Sequence, residues 1–543
     1  MPRLRQTLVF FVAILCAVGA FGQTTGSLVG NATTDGAPLP GVTVTISSPA
    51  LQGTRTAVTG EGGGYTFPSL PPGTYTIVFE LSGMAKVTRT EQVVLASTAR
   101  ADAAMKMSSV AEAITVTATA PAVLENTDVA RNYTSELIAE LPVRRNIVDT
   151  VLLSPGVNQA GARGNISISG GASYDNLFLV NGVTVNENLR GQPHDLFIED
   201  AIQETTVLNG AVSAEFGRFT GGVVSALTKS GGNTFNGSFR DTFNNASWID
   251  KTPIETTDHL DEITQVYEAT LGGFLWKDRL WFFAAGRDAK GAPAVGINPI
   301  GSTSAPAAVI TFPNTVDETR YEVKLTAQVY AQHSLVGSYL DVDKVETNNF
   351  FAPIYDTNSI VETRSLPNTL LAVGYNGVLT SNLLVEGQYS KKEFAFIGSG
   401  GVFTDQIKGT WIQDKGGTGV RWNAPVFCGV CTPETRDNDS LTAKATFFMN
   451  TKGLGTHSIV AGGENYHETR GVNNYQSASQ FEIFSTGVAR FVNGVPYPVF
   501  DSATRLRHRP ILQLSQGSDM KTRAFFINDK WDFNNHWNFN VGV

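Results

Sequence analysis

Apolar and polar residues alternate through much of the C-terminal half of the chain, which is the pattern of β-strands. Between Tyr321 and Val329 apolar residues take every second position, and polar residues such as Glu322 and Lys324 lie between them. The stretch Leu441–Phe447 repeats the pattern. Because successive side chains of a strand point to opposite faces, each stretch predicts a strand with one apolar and one polar face.

The lengths of the turns and connections indicate whether these strands belong to a soluble sandwich or to a transmembrane barrel. Strands of a soluble sandwich also alternate, but an apolar outer face and a polar inner face suit a transmembrane barrel around a wet lumen. Candidate tight turns lie at Lys277–Asp278, Ala331–Ser334, Thr380–Asn382, Thr451–Thr456 and Asn534–Asn535. The connections between the resulting hairpins are long and polar, which is typical of the outer loops of an outer-membrane barrel. Residues 235–543 therefore predict part of an antiparallel transmembrane β-barrel.

Residues 24–107 predict a small β-sandwich. Alternation in Gly41–Ser47 and Thr74–Leu81 indicates two half-buried strands, and Gly60–Gly64 and Pro71–Gly73 provide the conformations that tight reversals require. The side chains predicted to be buried are Val42, Val44, Ile46, Tyr75, Ile77, Phe79 and Leu81.

The first 22 residues have the three parts of a secretory signal peptide. Arg3 and Arg5 precede the apolar run Leu8–Val18, which is followed by small residues. A membrane anchor is the alternative, but a spanning helix needs about 20 apolar residues and this run is shorter.

Composition narrows the functional class. Glycine is abundant, with 54 residues, and only 16% of the 543 residues are charged, which favours turn-rich β-structure. A net charge of -9 argues against a nucleic-acid partner, because phosphate binding needs clustered Lys and Arg. The 7 histidines form no His-Glu-x-x-His pair, and neither a phosphate loop nor a Gly-x-Ser-x-Gly elbow is present. We expect no enzyme activity, no cofactor and no metal site.

Cys428 and Cys431 have a spacing that is also seen in redox and metal sites. A second pair of ligands for zinc is absent, and export implies an oxidising compartment. The two cysteines therefore predict a small disulfide in an outer loop.

Three motifs of the predicted sandwich resemble the carboxypeptidase regulatory-like domain. They are Pro38–Val42, Gly64–Phe67 and Leu70–Tyr75. The resemblance implies a carbohydrate-binding-like sandwich fold, and it implies neither peptidase activity nor sugar binding.

A polar linker, residues 108–121, contains a segment that resembles the TonB box of TonB-dependent receptors. Its residues are Glu112, Ala113, Ile114, Thr115, Val116, Thr117 and Ala118. An alternating segment of this kind adds to the sheet edge of a partner through main-chain hydrogen bonds. An ordinary strand or linker is the alternative.

Residues 122–233 resemble the plug domain of TonB-dependent receptors. The matching motifs are Leu141–Asn146, Ser154–Val157, Ile168–Gly171, Asn176–Val183, Ile202–Glu204, Gly210–Val224 and Thr228–Gly231. The plug positions with expected roles are Asn181, Gly182, Glu215, Gly217, Arg218, Gly221 and Gly222. The glycines allow close approach of the backbone, and Asn181 stands where the family usually has Asp. Glu215 and Arg218 are expected to pair with each other or to face the barrel wall; a solvated pair of charges is the alternative.

The early barrel resembles Oar-like TonB-dependent receptors, on Gly272–Gly273 and Lys277–Phe283. The aromatic residues Trp281, Phe282 and Phe283 are expected in an interfacial aromatic girdle, with core packing as the alternative. The chain provides roughly a dozen barrel strands. The family closes its barrel with more, so we expect a truncated fragment.

The resemblance implies a receptor in the outer membrane of a Gram-negative bacterium, with a periplasmic N-terminal domain. Its implied partners are TonB, outer-membrane lipid and an unknown extracellular ligand. The implied function is energised uptake of a large solute: an oligosaccharide, a peptide or a siderophore. An outer-membrane adhesin that binds without transport is the alternative.

Overall fold

The computed structural model describes most of the chain after the first 24 residues. The described residues are 25–48, 50–51, 53–94, 98–107, 114–115, 129–141, 147–161, 164–187, 191, 193, 196–250, 261–291, 294–298, 310–330, 332–349, 357–380, 382–398, 403, 405–415, 421–423, 433–451, 454–472, 477, 479–486, 490–493, 495–508, 515–534 and 537–543. The predicted signal peptide and the pair Cys428 and Cys431 lie outside them.

The N-terminal region is a sandwich of two sheets. Its strands are β1 (Gly26–Thr34), β2 (Ala37–Pro38), β3 (Thr43–Ser47), β4 (Thr54–Val58), β5 (Gly64–Leu70), β6 (Gly73–Glu80), β7 (Val87–Val93), β8 (Thr98–Arg100), β9 (Ala103–Ala104) and β10 (Ile114–Thr115). In one sheet β1 pairs with β2, β5, β8 and β9, and the other has the order β10-β7-β6-β3-β4. The predicted core positions Val44, Ile46, Ile77 and Phe79 are fully buried between the sheets, whereas Leu81 is only partly buried.

The next region is a compact α+β domain. Its elements are β11 (Val129–Thr134), α1 (Ser135–Glu140), α2 (Ile147–Val151), β12 (Val157–Asn158), β13 (Ser167–Ile168), β14 (Leu177–Val180), β15 (Val183–Thr184), a short 3-10 helix (Glu199–Ala201), β16 (Ile202–Gly210) and β17 (Val223–Thr228). The main sheet has the order β11-β16-β17-β14-β15, in which only β14 and β17 run parallel. Thr134 caps α1, because its hydroxyl oxygen accepts a hydrogen bond from the amide of Leu137 at 3.3 Å. The Nε2 of Gln203 donates to the carbonyl of Pro72 at 2.6 Å, which links this domain to the sandwich.

A single antiparallel sheet of 13 strands forms the wall. Its strands are β18 (Asn236–Asn245), β19 (Ile263–Trp276), β20 (Leu280–Lys290), β21 (Ala294–Asn298), β22 (Ile310–Tyr330), β23 (His333–Asn349), β24 (Val361–Ser365), β25 (Asn368–Thr380), β26 (Leu383–Phe396), β29 (Glu434–Thr451), β30 (Gly455–Val472), β35 (Ser515–Asn534) and β36 (Trp537–Gly542). Short strands lie in the connections: β27 (Trp411–Asp414), β28 (Arg421–Trp422), β31 (Phe481–Ser485), β32 (Arg490–Val492), β33 (Val495–Tyr497) and β34 (Arg505–His508). Two 3-10 turns, Ala246–Trp248 and Thr357–Ser359, complete the elements.

The wall strands turn their apolar faces outward and their polar faces inward, as the alternation predicts. On β22, Tyr321 is 61% exposed and Val323 is 48% exposed, whereas Glu322 and Lys324 are 1% and 4% exposed. This inversion of a soluble protein's pattern is typical of a wall between lipid and a filled lumen. Within the described residues β18 and β36 do not pair, so the barrel is incomplete. The predicted fold class is confirmed.

The predicted aromatic girdle is wrong for two of its three residues. Trp281 and Phe283 are buried on the inner side of β20, and Phe283 packs against Ile198 and Ala201 of the α+β domain. The indole Nε1 of Trp281 donates to the side-chain oxygen of Asn233 at 2.8 Å. Neighbouring residues of a strand cannot share a face, so only Phe282, which is half-buried, takes the outer side.

No helix among the described residues is both long and apolar enough to cross a membrane.

Candidate functional site

The candidate site is the contact between the α+β domain and the inner face of the wall. The domain lies in the lumen, where its segment 210–224 runs along strands β26, β29 and β30. The backbone of this segment is tight. A Cβ at Gly221 would meet the side chain of Asn176, and a Cβ at Gly222 would lie 2.8 Å from the carbonyl oxygen of Leu208. Gly217 has open space at its Cβ position, so close packing does not explain that glycine.

Arg218 reaches from this segment to the wall in a backbone conformation that is unusual for an L-residue, with φ of 60°. Its Nη2 donates to the Oε1 of Glu464 on β30 at 2.8 Å and to the hydroxyl of Thr184 at 3.2 Å. The guanidinium carbon also lies 3.6 Å from the ring centroid of Tyr466. The aromatic ring and the carboxylate together hold the guanidinium against the wall.

Glu215 makes a second ion pair with the wall. The Nζ of Lys444 on β29 lies 3.2 Å from the carboxylate of Glu215 and 3.3 Å from that of Glu386 on β26. All three side chains are at most 7% exposed. One buried ammonium group therefore neutralises a carboxylate from each partner, and losing it would leave two like charges together. Glu215 and Arg218 are each paired with the wall.

A small polar cavity separates these two ion pairs. The wall contributes Gln388, Ser390, Ser440 and Thr442 to its lining, and Gly182 and Thr184 line the other side. Polar groups of this kind can form hydrogen bonds with water in place of one another. Water can therefore enter this part of the interface more easily than it enters an apolar contact.

The turn at Asn181 and Gly182 is also fixed to the wall. Asn181 has φ of 49° and Gly182 has φ of 79°, values that Asn and Gly tolerate. The side-chain oxygen of Asn181 accepts from the amide of Thr228 at 3.1 Å and from the Nζ of Lys324 at 3.2 Å. The turn therefore keeps its geometry without the family's usual Asp, and a wall lysine binds an amide oxygen here.

Several further polar contacts were not identified from the sequence. They join Arg240 to Asp200, Arg287 to Glu199, Arg320 to the carbonyl of Phe197, Lys392 to the carbonyl of Asn186, and Arg436 to Glu187. Each wall residue occupies an inward position of its strand. Charged residues at inward positions are the only sequence signal that predicts such contacts, and that signal does not identify the partner.

One sector of the wall is apolar instead. Leu340 and Val342 on β23 and Leu370 and Ala372 on β25 belong to the same buried cluster as the core of the lumenal domain. The domain is thus fixed by apolar packing at β23 and β25 and by charged and polar contacts at the strands on either side of this sector.

The TonB-box-like segment is described only at Ile114 and Thr115, which form β10. They pair in parallel with Val87 and Thr88 of β7, at the edge of a sandwich sheet. Glu112, Ala113 and residues 116–118 lie outside the described residues. The coupling role of the segment stays a prediction.

Among the described residues, no group of three or more His, Cys, Asp or Glu side chains is placed to hold a metal ion.

Two family models match the chain. Residues 27–106 match the carboxypeptidase regulatory-like domain, and residues 123–224 match the TonB-dependent receptor plug domain. The TonB-dependent transporter Oar of Myxococcus xanthus is 31% identical over 307 residues, which cover 52% of this chain and 28% of that protein.

Solved structures share the fold. The siderophore receptor PirA from Acinetobacter baumannii aligns with a TM-score of 0.51 at 19% identity, over 76% of this chain and 56% of that one. A ferric enterobactin receptor from Pseudomonas aeruginosa, solved with enterobactin, aligns with a TM-score of 0.52 at 17% identity, over 76% of this chain and 57% of that one. The chain thus spans about a quarter of Oar and about half of these receptors.

The lumenal domain is a receptor plug, and these relatives place the chain in the outer membrane with the plug facing the periplasmic side. The chain thus contains a carboxypeptidase regulatory-like domain and a TonB-dependent receptor plug domain, is homologous to the TonB-dependent transporter Oar, and has a wall that shares the fold of TonB-dependent receptors.

Proposed function

We propose that this chain serves the energised uptake of a large solute across the outer membrane, driven by TonB. The domain order supports the proposal, because a TonB-box-like segment, a plug and a barrel wall follow one another along the chain. The homology to a TonB-dependent transporter points the same way.

One observation carries the proposal: the plug is bound to β26, β29 and β30 through ion pairs around a polar cavity. The contacts of Arg218 with Glu464 and of Lys444 with Glu215 are directional and hydrogen-bonded. When these charged contacts separate, water in the lumen can solvate the groups on both sides, so this part of the interface opens without exposing a large apolar surface.

The apolar contact with β23 and β25 determines which side of the plug separates from the wall. Separating Leu340, Val342, Leu370 and Ala372 from the plug would expose buried apolar surface at about 25 cal/mol per Å². We propose that the plug stays attached at β23 and β25 while the charged side opens, so that the solute passes next to β26, β29 and β30.

Residues 112–118 are proposed as the segment that TonB binds. The pairing of Ile114 and Thr115 with β7 supports this role, because it places part of the segment in an extended, sheet-edge conformation. A partner strand would recognise the same main-chain groups.

We propose an oligosaccharide or a peptide as the solute in preference to a siderophore. The structural neighbours are described as siderophore and ferric enterobactin receptors, but at 17–19% identity they support the fold alone. The N-terminal domain, whose family has a carbohydrate-binding-like fold, favours the other two classes.

Uptake in cells with and without TonB tests the proposal. Cells expressing the full-length gene receive labelled oligosaccharides, peptides and ferric siderophores, and internal label is separated from surface label. We expect at least one solute to enter only when TonB is present. Surface binding with no TonB-dependent entry of any solute would favour the adhesin and contradict the proposal.

A further inference from the structure

Two outer connections of the wall combine into one small sheet. The connection between β26 and β29 contributes β27 and β28, and the connection between β30 and β35 contributes β31 and β34. The order is β28-β27-β31-β34, with β27 and β31 parallel. These connections lie at the end of the wall opposite the tight turns, so this loop sheet stands on the outer side of the membrane.

One face of the loop sheet is strongly basic. The registers pair Trp411 with Glu482, Gln413 with both Arg421 and Phe484, Glu482 with Arg507, and Phe484 with Arg505. Paired residues share a face, and Lys415 follows Gln413 by two positions. The face therefore has four cations, Lys415, Arg421, Arg505 and Arg507, and one acid, Glu482. This excess of positive charge is unusual in a chain with a net charge of -9.

Two aromatic rings hold three of these cations in place. The guanidinium carbon of Arg421 lies 4.8 Å from the ring centroid of Trp411. The Nζ of Lys415 and the guanidinium carbon of Arg507 lie 4.3 Å and 4.5 Å from the ring centroid of Phe484. The ring faces are thus occupied by cations, so the rings orient positive charge and do not offer a free stacking surface.

The basic face has more hydrogen-bond donors than acceptors. The Nε and Nη1 of Arg421 and the Nε1 of Trp411 are buried and have no acceptor within the described part of the chain. Among the described residues of the face, Glu482 is the one acid; it is fully buried, and its Oε2 lies 3.3 Å from the Nη1 of Arg507. Buried donors without an acceptor cost free energy, so the face is complementary to a ligand rich in anionic and neutral oxygen atoms.

We propose that this basic face binds an acidic oligosaccharide. A carboxylate-bearing sugar chain offers carboxylate, ring and hydroxyl oxygens that accept hydrogen bonds across the face, which is about 14 Å wide over its three strand spacings. An acidic peptide also brings one backbone N–H per residue, which can only donate, whereas each hydroxyl of a sugar can accept from the cations of the face. The inference rests on the proposed function, since it names the class of solute that the receptor captures.

Binding of a fluorescent oligogalacturonate to outer-membrane vesicles that contain the full-length receptor tests this site. We expect saturable binding that weakens with salt, and no binding of an uncharged galactose oligomer of the same length. The double variant Arg505→Glu with Arg507→Glu should bind at least about tenfold more weakly. The matched control, Lys408→Glu with Arg490→Glu, changes the charge equally at exposed positions off this face and should stay within about twofold of the wild type.

A milder variant tests whether a loss of binding could come from misfolding of the loop sheet. Arg505 makes no hydrogen bond or ion pair with any described residue, so Arg505→Gln leaves the loop sheet intact and should still weaken binding. Equal losses in the two double variants, unchanged binding in Arg505→Gln, or binding of a polyglutamate peptide in place of the oligogalacturonate would overturn the proposal. Deleting residues 112–118 should leave this binding unchanged, so a failure of uptake and a failure of this site are distinguishable.

Discussion

Arg218 combines a strained backbone with a strong set of side-chain contacts. Its φ of 60° brings Cβ close to the following carbonyl, at a cost of about 1–2 kcal/mol for an L-residue. The pair with Glu464 and the contact with the ring of Tyr466 offset that strain only while the plug stays against the wall. The backbone of Arg218 is therefore strained while the plug contacts the wall, and separating the plug from the wall would relieve that strain.

Two substitutions of Arg218 distinguish the effect of backbone strain from the effect of the ion pair with Glu464. Arg218→Ala and Arg218→Gly both remove the pair with Glu464, and each should lower the stability of the plug–wall contact by about 2 kcal/mol. Glycine relieves the backbone strain and alanine does not, so the glycine variant should be more stable than the alanine variant by about 1 kcal/mol. Urea titration with protease cleavage of the plug as the readout measures the difference. Equal stabilities would show that the backbone is not strained.

The glycines of segment 210–224 differ in the space around their Cβ positions. Gly221→Ala places a methyl group against Asn176 and should destabilise the plug by about 2–3 kcal/mol. Gly217→Ala is the matched control, because open space surrounds that position, and its effect should stay within about 0.5 kcal/mol. Trypsin resistance of the assembled receptor compares the two, and equal resistance would contradict the packing of Gly221.

At the scale of elements, alternation predicts the wall strands but not their lumenal partners. The inward side of Lys324 and the outward side of Val323 follow from a period of two. The pairing of Arg218 with Glu464 joins residues 246 positions apart, and local pattern carries no information about such a contact. Trp281 is a second example. It is buried because the plug fills the lumen, and the sequence of its own strand does not predict that contact.

A charge on the outer face of β22 tests its orientation toward lipid. Val323→Lys places an ammonium group in the apolar belt and should cost about 2–4 kcal/mol of barrel stability. Gln328→Lys adds the same charge at an inward, half-buried position of the same strand and should be tolerated. The fraction of heat-modifiable, folded receptor in outer membranes reports the outcome. Equal assembly of both variants would contradict the assigned outer face.

The sandwich should lose stability in alkali. Tyr65 donates to the carbonyl of Ala101 at 2.6 Å and Tyr75 to that of Pro71 at 2.7 Å. Burial raises the pKa of both phenols above the ordinary value of 10.0. The unfolded state then releases protons that the folded state retains, so stability is full below pH 10.0 and falls as the pH rises above it.

Protease cleavage of the sandwich in the intact receptor, followed across alkaline pH, measures this loss. Replacing Tyr65 and Tyr75 together by Phe should flatten the pH dependence. The control Tyr174→Phe changes a phenol that is 61% exposed and should leave the pH dependence as it is in the wild type. A profile that none of the variants alters would exclude these two phenols as its cause.

At the scale of the whole molecule, the plug has two kinds of attachment. Apolar packing joins it to β23, β25 and β20, and ion pairs join it to β26, β29 and β30 and also to β18 and β20. The sandwich contacts the plug through Gln203 and Pro72, and the TonB-box-like segment, residues 112–118, lies between these two domains along the chain. Under the proposed function, a pull on that segment would be applied next to the plug, and we expect the charged contacts with β26, β29 and β30 to separate before the apolar packing on β23 and β25 does.

Deletion of residues 112–118 from the full-length gene tests this account most directly, with surface binding and internal uptake of the same labelled solute measured in the same cells. The account predicts that surface binding stays at the wild-type level and that uptake is abolished. Uptake that continues at the wild-type rate after the deletion would contradict TonB-driven transport through this receptor.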